Sequence, residues 1–351
     1  ESLNVGGEYT AGDRGDAAEA SINYDVSDDY TTYLTYLTDD YEDENTITVG
    51  QRVSITSSVD FYNENQFVDE NNGKGHIDSF GFDFDMTDDI EAGMSYQQGD
   101  IEYRDDAPVA RKAASIYSKI DLDKIYLSNK IEYRIDKSDT DVVQWVTTNR
   151  YTHNLTEEYT LYGKINYSIS NDQDLDLKVE QFVESGLGMA YRPIYNDDLN
   201  LLARYTYLID YDATDRDLDY TDEESHIIET EAIYAFNAHI DFGAKFAYKH
   251  KHELYLRESG EDYLVKNKIY LTGISASYKV MKSWDVTTEY HWKVDRYYDQ
   301  VEEGALVSFN KHLSNNFKIG VGYNFSKFTD DLVYEDDYDS NGFFVNVVGK
   351  I

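Results

Sequence analysis

Residues 317–326 read FKIGVGYNFS and residues 342–351 read GFFVNVVGKI, with an acidic connection between them. In the first run Phe317, Ile319, Val321, Tyr323 and Phe325 alternate with Lys318, Gly320, Gly322 and Asn324. A period of two puts the two sets on opposite sides of an extended chain, so this is a strand with one apolar and one polar face. Phe343, Val345 and Val347 repeat the pattern, and Ile351 closes the chain. Many β-proteins end in such a hairpin; the fold is decided by whether the rest of the chain repeats it.

It does. Upstream, Ala305-Val307-Phe309 turns at Ser314-Asn315-Asn316 into the stretch just quoted. Tyr270-Thr272-Ile274-Ala276-Tyr278 turns at Lys282-Ser283 into Trp284-Val286-Thr288-Tyr290-Trp292. Similar pairs run back to Leu3-Val5-Gly7-Tyr9, giving about 20 strands of roughly 9–11 residues, the length that crosses a bilayer at a tilt. Short turns alternate with longer acidic loops, as in outer-membrane barrels with short periplasmic turns and long outside loops. A soluble sandwich has no reason to keep that alternation. The expectation is a single all-β domain over residues 1–351: one antiparallel transmembrane β-barrel of about 20 strands in the bacterial outer membrane. Its short turns and both termini are periplasmic and its long acidic loops extracellular. The closing seam then pairs Ser2–Thr10 with Gly342–Ile351.

Composition agrees. The 351 residues include 34 Tyr and 21 Gly but only 2 Pro and no Cys. Tyrosine suits strands and membrane interfaces, and proline removes a ladder donor. Without cysteine there is no disulfide or thiolate metal site. A net charge of −38 argues against nucleic acid, which needs a basic face. No apolar run is long enough for a transmembrane helix. No signal-peptide pattern opens the chain, which reads as mature or excised from something longer.

The two phases assign the side chains. Aromatics on the apolar phase cluster near strand ends: Tyr30, Tyr159, Trp284 and Phe317 by short turns, and Tyr36, Tyr133, Tyr207, Tyr248 and Trp292 by long loops. They form the expected interfacial girdles. The opposite phase carries Lys130, Glu132, Arg134, Lys164, Arg204, Asp241, Lys245, Asp285, Glu289, His291 and Lys293. Charges are costly against lipid, so these are the expected pore lining.

Chemical motifs are sparse. Asp337, Asp339 and Asn341, with Gly342, match the first half of an EF-hand loop, but Val348 stands where the twelfth-position Glu belongs. Loop-bound Ca2+ is the only cofactor suggested. Asp172, Asp174 and Asp176 have ligand-like spacing without the glycine. His250 and His252 straddle Lys251 and share a face; with His239 and His291 they make a metal set only if the fold gathers them. No hydrolase, metalloprotease, phosphate-loop or haem-attachment motif occurs, and carboxylates are too common to mark a catalytic pair.

The runs GLGMAYRPIYNDDLNLLARYTYLID (186–210), NNFKIGVGYNFSKFTDDL (315–332), KSWDVTTEYHWKV and YDSNGFFVNVVGKI resemble a bacterial family of outer-membrane β-barrels. In that family the barrel often forms the C-terminal part of very large surface proteins. The resemblance covers about residue 183 onward and implies an outer-membrane barrel with no catalytic motif. The chain departs from it by ending in Ile351, where an aromatic is usual.

Three functions fit a barrel this wide: a water-filled, porin-like pore for passive, cation-preferring passage of hydrophilic solutes, an anchor or translocator for an attached surface domain, or a sleeve around a partner such as a multihaem electron-transfer protein. The implied partners are outer-membrane lipid, lipopolysaccharide and the barrel-assembly machinery. Asp210–Glu224, Lys249–Tyr263 and Ser326–Gly342 are the longest loops able to fold inward.

Overall fold

The computed structural model describes residues 2–12, 15–39, 44–70, 73–104, 107–195, 198–212, 221–256, 262–313, 317–327, 332 and 340–349. The first ten strands are β1 (Ser2–Gly12), β2 (Gly15–Ser27), β3 (Tyr30–Asp39), β4 (Glu44–Thr56), β5 (Val59–Glu70), β6 (Gly73–Thr87), β7 (Ile90–Tyr103), β8 (Val109–Asp121), β9 (Ile125–Lys137) and β10 (Asp141–Asn154). They are followed by β11 (Tyr159–Asp172), β12 (Leu177–Tyr191), β13 (Leu199–Asp212), β14 (Thr221–Asn237), β15 (Ile240–Leu256), β16 (Asp262–Met281), β17 (Trp284–Asp295), β18 (Gln300–His312), β19 (Phe317–Lys327) and β20 (Ser340–Gly349). All twenty belong to one sheet. Among the described residues, no helix is long and apolar enough to cross a membrane.

Two compact units make up the chain: residues 1–150 with 166–181, and residues 151–165 with 182–351. In the first, β1 to β9 pair antiparallel in chain order. In the second, β13 to β20 do the same.

Four of the tight turns share one local device. The residue entering the turn offers a side-chain oxygen to the backbone N–H two positions on. Ser27 accepts from Asp29 at 3.3 Å, Thr56 from Ser58 at 3.2 Å, Thr87 from Asp89 at 3.3 Å and Asn237 from His239 at 2.8 Å. Hydroxyl and amide side chains mimic a backbone turn in this way. The register slips just before the turn in each of these hairpins, between Asp25 and Ser27, Ser54 and Thr56, Asp85 and Thr87, and Ala235 and Asn237. Such a bulge adds local twist.

The far ends of the strands correct one expectation. Most strands run past 9–11 residues, although β1, β3, β19 and β20 keep to 10 or 11: β14 and β15 have 17 each and β16 has 20. Much of what reads as acidic loop is ladder. The run DENNGKG is strand except for Asn71 and Asn72, which lie outside the described residues. Asp69 and Lys74 face each other across it with an ion pair of 2.8 Å. Continuing the ladder satisfies backbone donors and acceptors, while charged side chains on both faces stay solvated.

Burial is inverted relative to a soluble protein. The large exposed side chains belong to the apolar phase: Leu34, Ile47, Val49, Phe80, Met94, Ile116, Ile131, Ile165, Phe246, Ile274 and Val321 among them. The buried ones are mostly polar: Ser79, Ser115, Glu184, Thr206, Glu229, Lys249, Lys251, Glu253, Asp285 and Asn310. Adjacent residues of β14 show the switch, with Ile227 at 0% and Ile228 at 49% exposure. Isolated exposed apolar residues mean little, but contiguous apolar patches mark a lipid or protein contact.

Candidate functional site

The polar face carries the chemistry, and its elements place the sequence-derived residues in short clusters. On β9, Lys130 and Arg134 flank Glu132 at 3.1 and 2.8 Å. Lys164 holds both oxygens of Glu184 at 2.8 and 2.7 Å, and Arg204 Nε donates to Glu229 at 2.6 Å. Lys245 stands opposite Glu231 in the register; with Arg204 and Glu229 these two line a cavity of about 210 Å³. Asp241 pairs with Lys279 at 3.1 Å, Glu289 with His291 at 3.4 Å and Lys293 with Glu302 at 3.6 Å. Asp285 accepts from Asn310 at 2.8 Å and bonds His312 at 2.6 Å. Opposite charges therefore neutralise most of these groups, within a strand or across adjacent strands, which is what lets them share a half-buried surface.

Sequence reasoning missed two further features of this face. The first is a set of tyrosines in the polar phase. Tyr33 lies against Gly50, Tyr62 against Gly81 and Tyr117 against Gly93, each pair directly opposed in the register. A Cβ on Gly50 or Gly93 would stand 2.3 or 2.2 Å from the ring. The glycine leaves the room that lets the ring lie flat on the wall, the arrangement that rescues strand glycines. The hydroxyls then reach carboxylates: Tyr33 to Glu64 at 2.6 Å, and Tyr117 to Asp83 and Glu91 at 2.7 and 2.8 Å. Arg52 bonds Asp83 at 2.6 Å and Asp60 at 3.3 Å. A tyrosine and a glycine both in polar phase on adjacent strands is the signal that could have found these pairs.

The second is an apolar island. Ile227, Ala247, Ile269 and Leu271 are buried on the polar phase of β14–β16 and cluster with Leu332. Leu332 lies between β19 and β20, within the candidate loop Ser326–Gly342, and its side chain reaches the polar face.

The nine sequence-derived aromatics share the apolar phase; Tyr30, Tyr159, Trp284 and Phe317 open their strands, whereas Tyr248 stands at the middle of β15 rather than near its end. Tyr133 packs on Trp145 at 4.7 Å, Tyr159 on Tyr191 at 4.7 Å, Tyr248 on Tyr270 at 5.1 Å and Trp284 on Phe309 at 4.8 Å. Tyr30, Tyr36 and Tyr207 donate hydroxyls to Gln51, Asn45 and Glu224. Trp292 and Phe317 are exposed.

The metal expectations fare differently. Asp337 and Asp339 lie outside the described residues, as does the side chain of Asn341. Asp172 accepts the backbone N–H of Asp174 and Leu175, both at 2.9 Å, so it caps a turn. His250 and His252 do meet, with ring centroids 4.7 Å apart. His239 and His291 do not join them: His239 sits in the turn at the other end of β15 and His291 on the polar face. Among the described residues no cluster of three or more metal-ligating side chains occurs.

No family model and no curated protein matches the chain. Solved structures do. The copper transporter OprC superimposes with a TM-score of 0.58 at 11% identity, covering 99% of this chain and 70% of that one. The FrpB iron transporter from Neisseria meningitidis gives 0.53 at 10% identity, with 98% and 72% covered. The alcaligin outer-membrane receptor FauA from Bordetella pertussis gives 0.53 at 13% identity, with 98% and 70% covered. At such identities the likeness is one of fold, and the fold is that of the β-barrels of the bacterial outer membrane.

Proposed function

We propose that the chain is an outer-membrane transporter whose polar face lines an aqueous path for hydrophilic solutes, cations in preference to anions. The observation that carries this reading is the inverted burial, with apolar side chains turned outward and ion pairs and hydrogen-bonded carboxylates on the other face. Lipid accepts the first surface and rejects the second.

Cation preference rests on how the carboxylates are held. Most basic groups of the polar face are matched by an acid, and Arg52 by two. Glu64 and Glu91 are bonded instead by tyrosine hydroxyls, which fix a carboxylate without cancelling its charge. The wall keeps a negative surplus, which raises the local concentration of cations. The neighbours in fold are named for copper, iron and alcaligin, so metal ions and their chelates are the first cargo to try.

Reconstitution in a planar bilayer under a KCl gradient tests the reading. The expected result is stepwise conductance with a reversal potential on the cation side, reduced in the Glu64→Gln/Glu91→Gln variant. A silent bilayer or an anion-selective pore overturns it.

A further inference from the structure

The outer face of β14–β16 carries a basic cluster unlike the rest of this acidic chain. The register sets three cross-strand rows on that face. Ile228, Tyr248 and Tyr270 form the first; His226, His250 and Lys268 the second; Glu224, His252 and Lys266 the third. Two residues of rise separate rows, about 7 Å, and adjacent strands lie about 5 Å apart. Three or four cationic or ionisable nitrogens therefore lie within about 10 Å of each other, one step beyond an aromatic row. Arg296 joins them, its guanidinium 5.9 Å from the Tyr270 ring.

Among the described residues the cluster is short of anions. Glu224 is the carboxylate within these rows, and the Tyr207 hydroxyl donates to it at 2.9 Å; Asp222 stands one row further out, opposite Leu254. Lys266 and Lys268 are exposed and make no ion pair among the described residues. His252 Nε2 is buried without a hydrogen-bond partner among the described residues. The His250 imidazole is held below the usual histidine range, first by burial and then by His252, Lys268, His226 and Lys266.

On the opposite side of the aromatic row the same face is apolar and grooved. Met189, Leu201, Ala203, Ala232, Ala244 and Phe246 line a cavity of about 760 Å³ whose small residues leave room for a chain.

We propose that His226, His250, His252, Lys266, Lys268 and Arg296 dock the phosphate groups of a phosphorylated membrane glycolipid whose acyl chains lie along the Ala203–Ala232–Ala244 groove. The occupant is lipid-linked because the basic rows continue directly into an apolar, outward surface. A soluble anion would have no use for the groove. A bound phosphate relieves repulsion among the cations and offers acceptors to the histidine nitrogens. The proposal rests on the reading that this face meets lipid. It is separable from it, because the conductance test does not depend on these six residues.

Native mass spectrometry of the detergent-extracted full chain tests it, with bisphosphorylated lipid A, its dephosphorylated form and inorganic phosphate as probes. Bisphosphorylated lipid A is expected to stay bound, and Lys266→Gln/Lys268→Gln to weaken it at least tenfold. Lys282→Gln, at the opposite end of β16, is expected to leave it unchanged. The variant's heat-dependent gel shift reports folding. Equal retention of dephosphorylated lipid, equally tight inorganic phosphate, or a double variant that folds and binds normally each overturn the proposal.

Discussion

Lys249 is the sharpest case at the scale of single residues. It is fully buried, with Glu223 at 2.7 Å, and the neighbouring Lys251 bridges Glu223 and Glu253 at 3.0 and 2.9 Å. A buried charge survives only when paired, and removing one partner strands the other. Lys249→Met is expected to lower the unfolding free energy by about 3 kcal/mol, near the bottom of the range for broken buried pairs because Lys251 still serves Glu223. Urea titration in micelles measures this; an unchanged midpoint would show the pair to be dispensable. His250 gives a second prediction. Its titration by NMR is expected below that of free histidine, because burial first, and then His252, Lys268, His226 and Lys266, oppose protonation. Adding bisphosphorylated lipid A raises it, since the phosphate favours the charged form; no movement on lipid addition would contradict the docking site. The alternation alone assigned Lys130, Lys164, Arg204 and Asp285 to the polar phase. It was blind to their partners, because cross-strand register is a property of two segments and periodicity of one.

At the scale of elements, each strand is a two-faced ribbon whose faces tolerate different chemistry. Ile274 is exposed on the apolar face of β16, and Ile274→Lys is expected to destabilise the lipid-embedded protein by roughly 2–4 kcal/mol, as charges do near a bilayer midplane. A change under 0.5 kcal/mol in liposomes would remove lipid from that face. Glycines of the two faces differ likewise: Gly93 lies in the polar phase of β7 and Gly163 in the apolar phase of β11. A Cβ on Gly93 would stand 2.2 Å from the Tyr117 ring, whereas one on Gly163 has nothing nearer than 3.7 Å. Gly93→Ala should cost about 1–3 kcal/mol by overpacking and free Tyr117 from Asp83 and Glu91, while Gly163→Ala stays near neutral. Denaturant midpoints of the two variants compare them directly. Strand number and turn positions were legible because Ser-Asp-Asp, Thr-Asp-Asp and Asn-Ala-His punctuate a strong period of two. Strand length was not: past the apolar belt both faces turn polar, so the period fades while the ladder continues, as at Asp69 and Lys74. The reach of Leu332 was equally hidden, since one leucine in an acidic loop carries no periodicity, and the island that receives it comes from three separate strands.

At the scale of the whole molecule the sheet is turned inside out, apolar on the face that meets lipid and charged on the other. A single chain can close such a sheet only if its ends pair. Cysteine at Val5 combined in turn with cysteine at Phe343, Val345 or Val347 is expected to give one disulfide-linked combination, as bonded Cα atoms must lie within about 7 Å; no crosslink in any combination would mean that these two strands do not form the seam. The most direct test of the inversion is a nitroxide scan of β16 from Tyr270 to Tyr278 in liposomes, comparing collision with oxygen and with a water-soluble nickel chelate. Oxygen maxima are predicted at the even positions, Tyr270, Thr272, Ile274, Ala276 and Tyr278, and nickel maxima at Gly273, Ser275 and Ser277. The reverse phase, or nickel access at every position, would contradict the account.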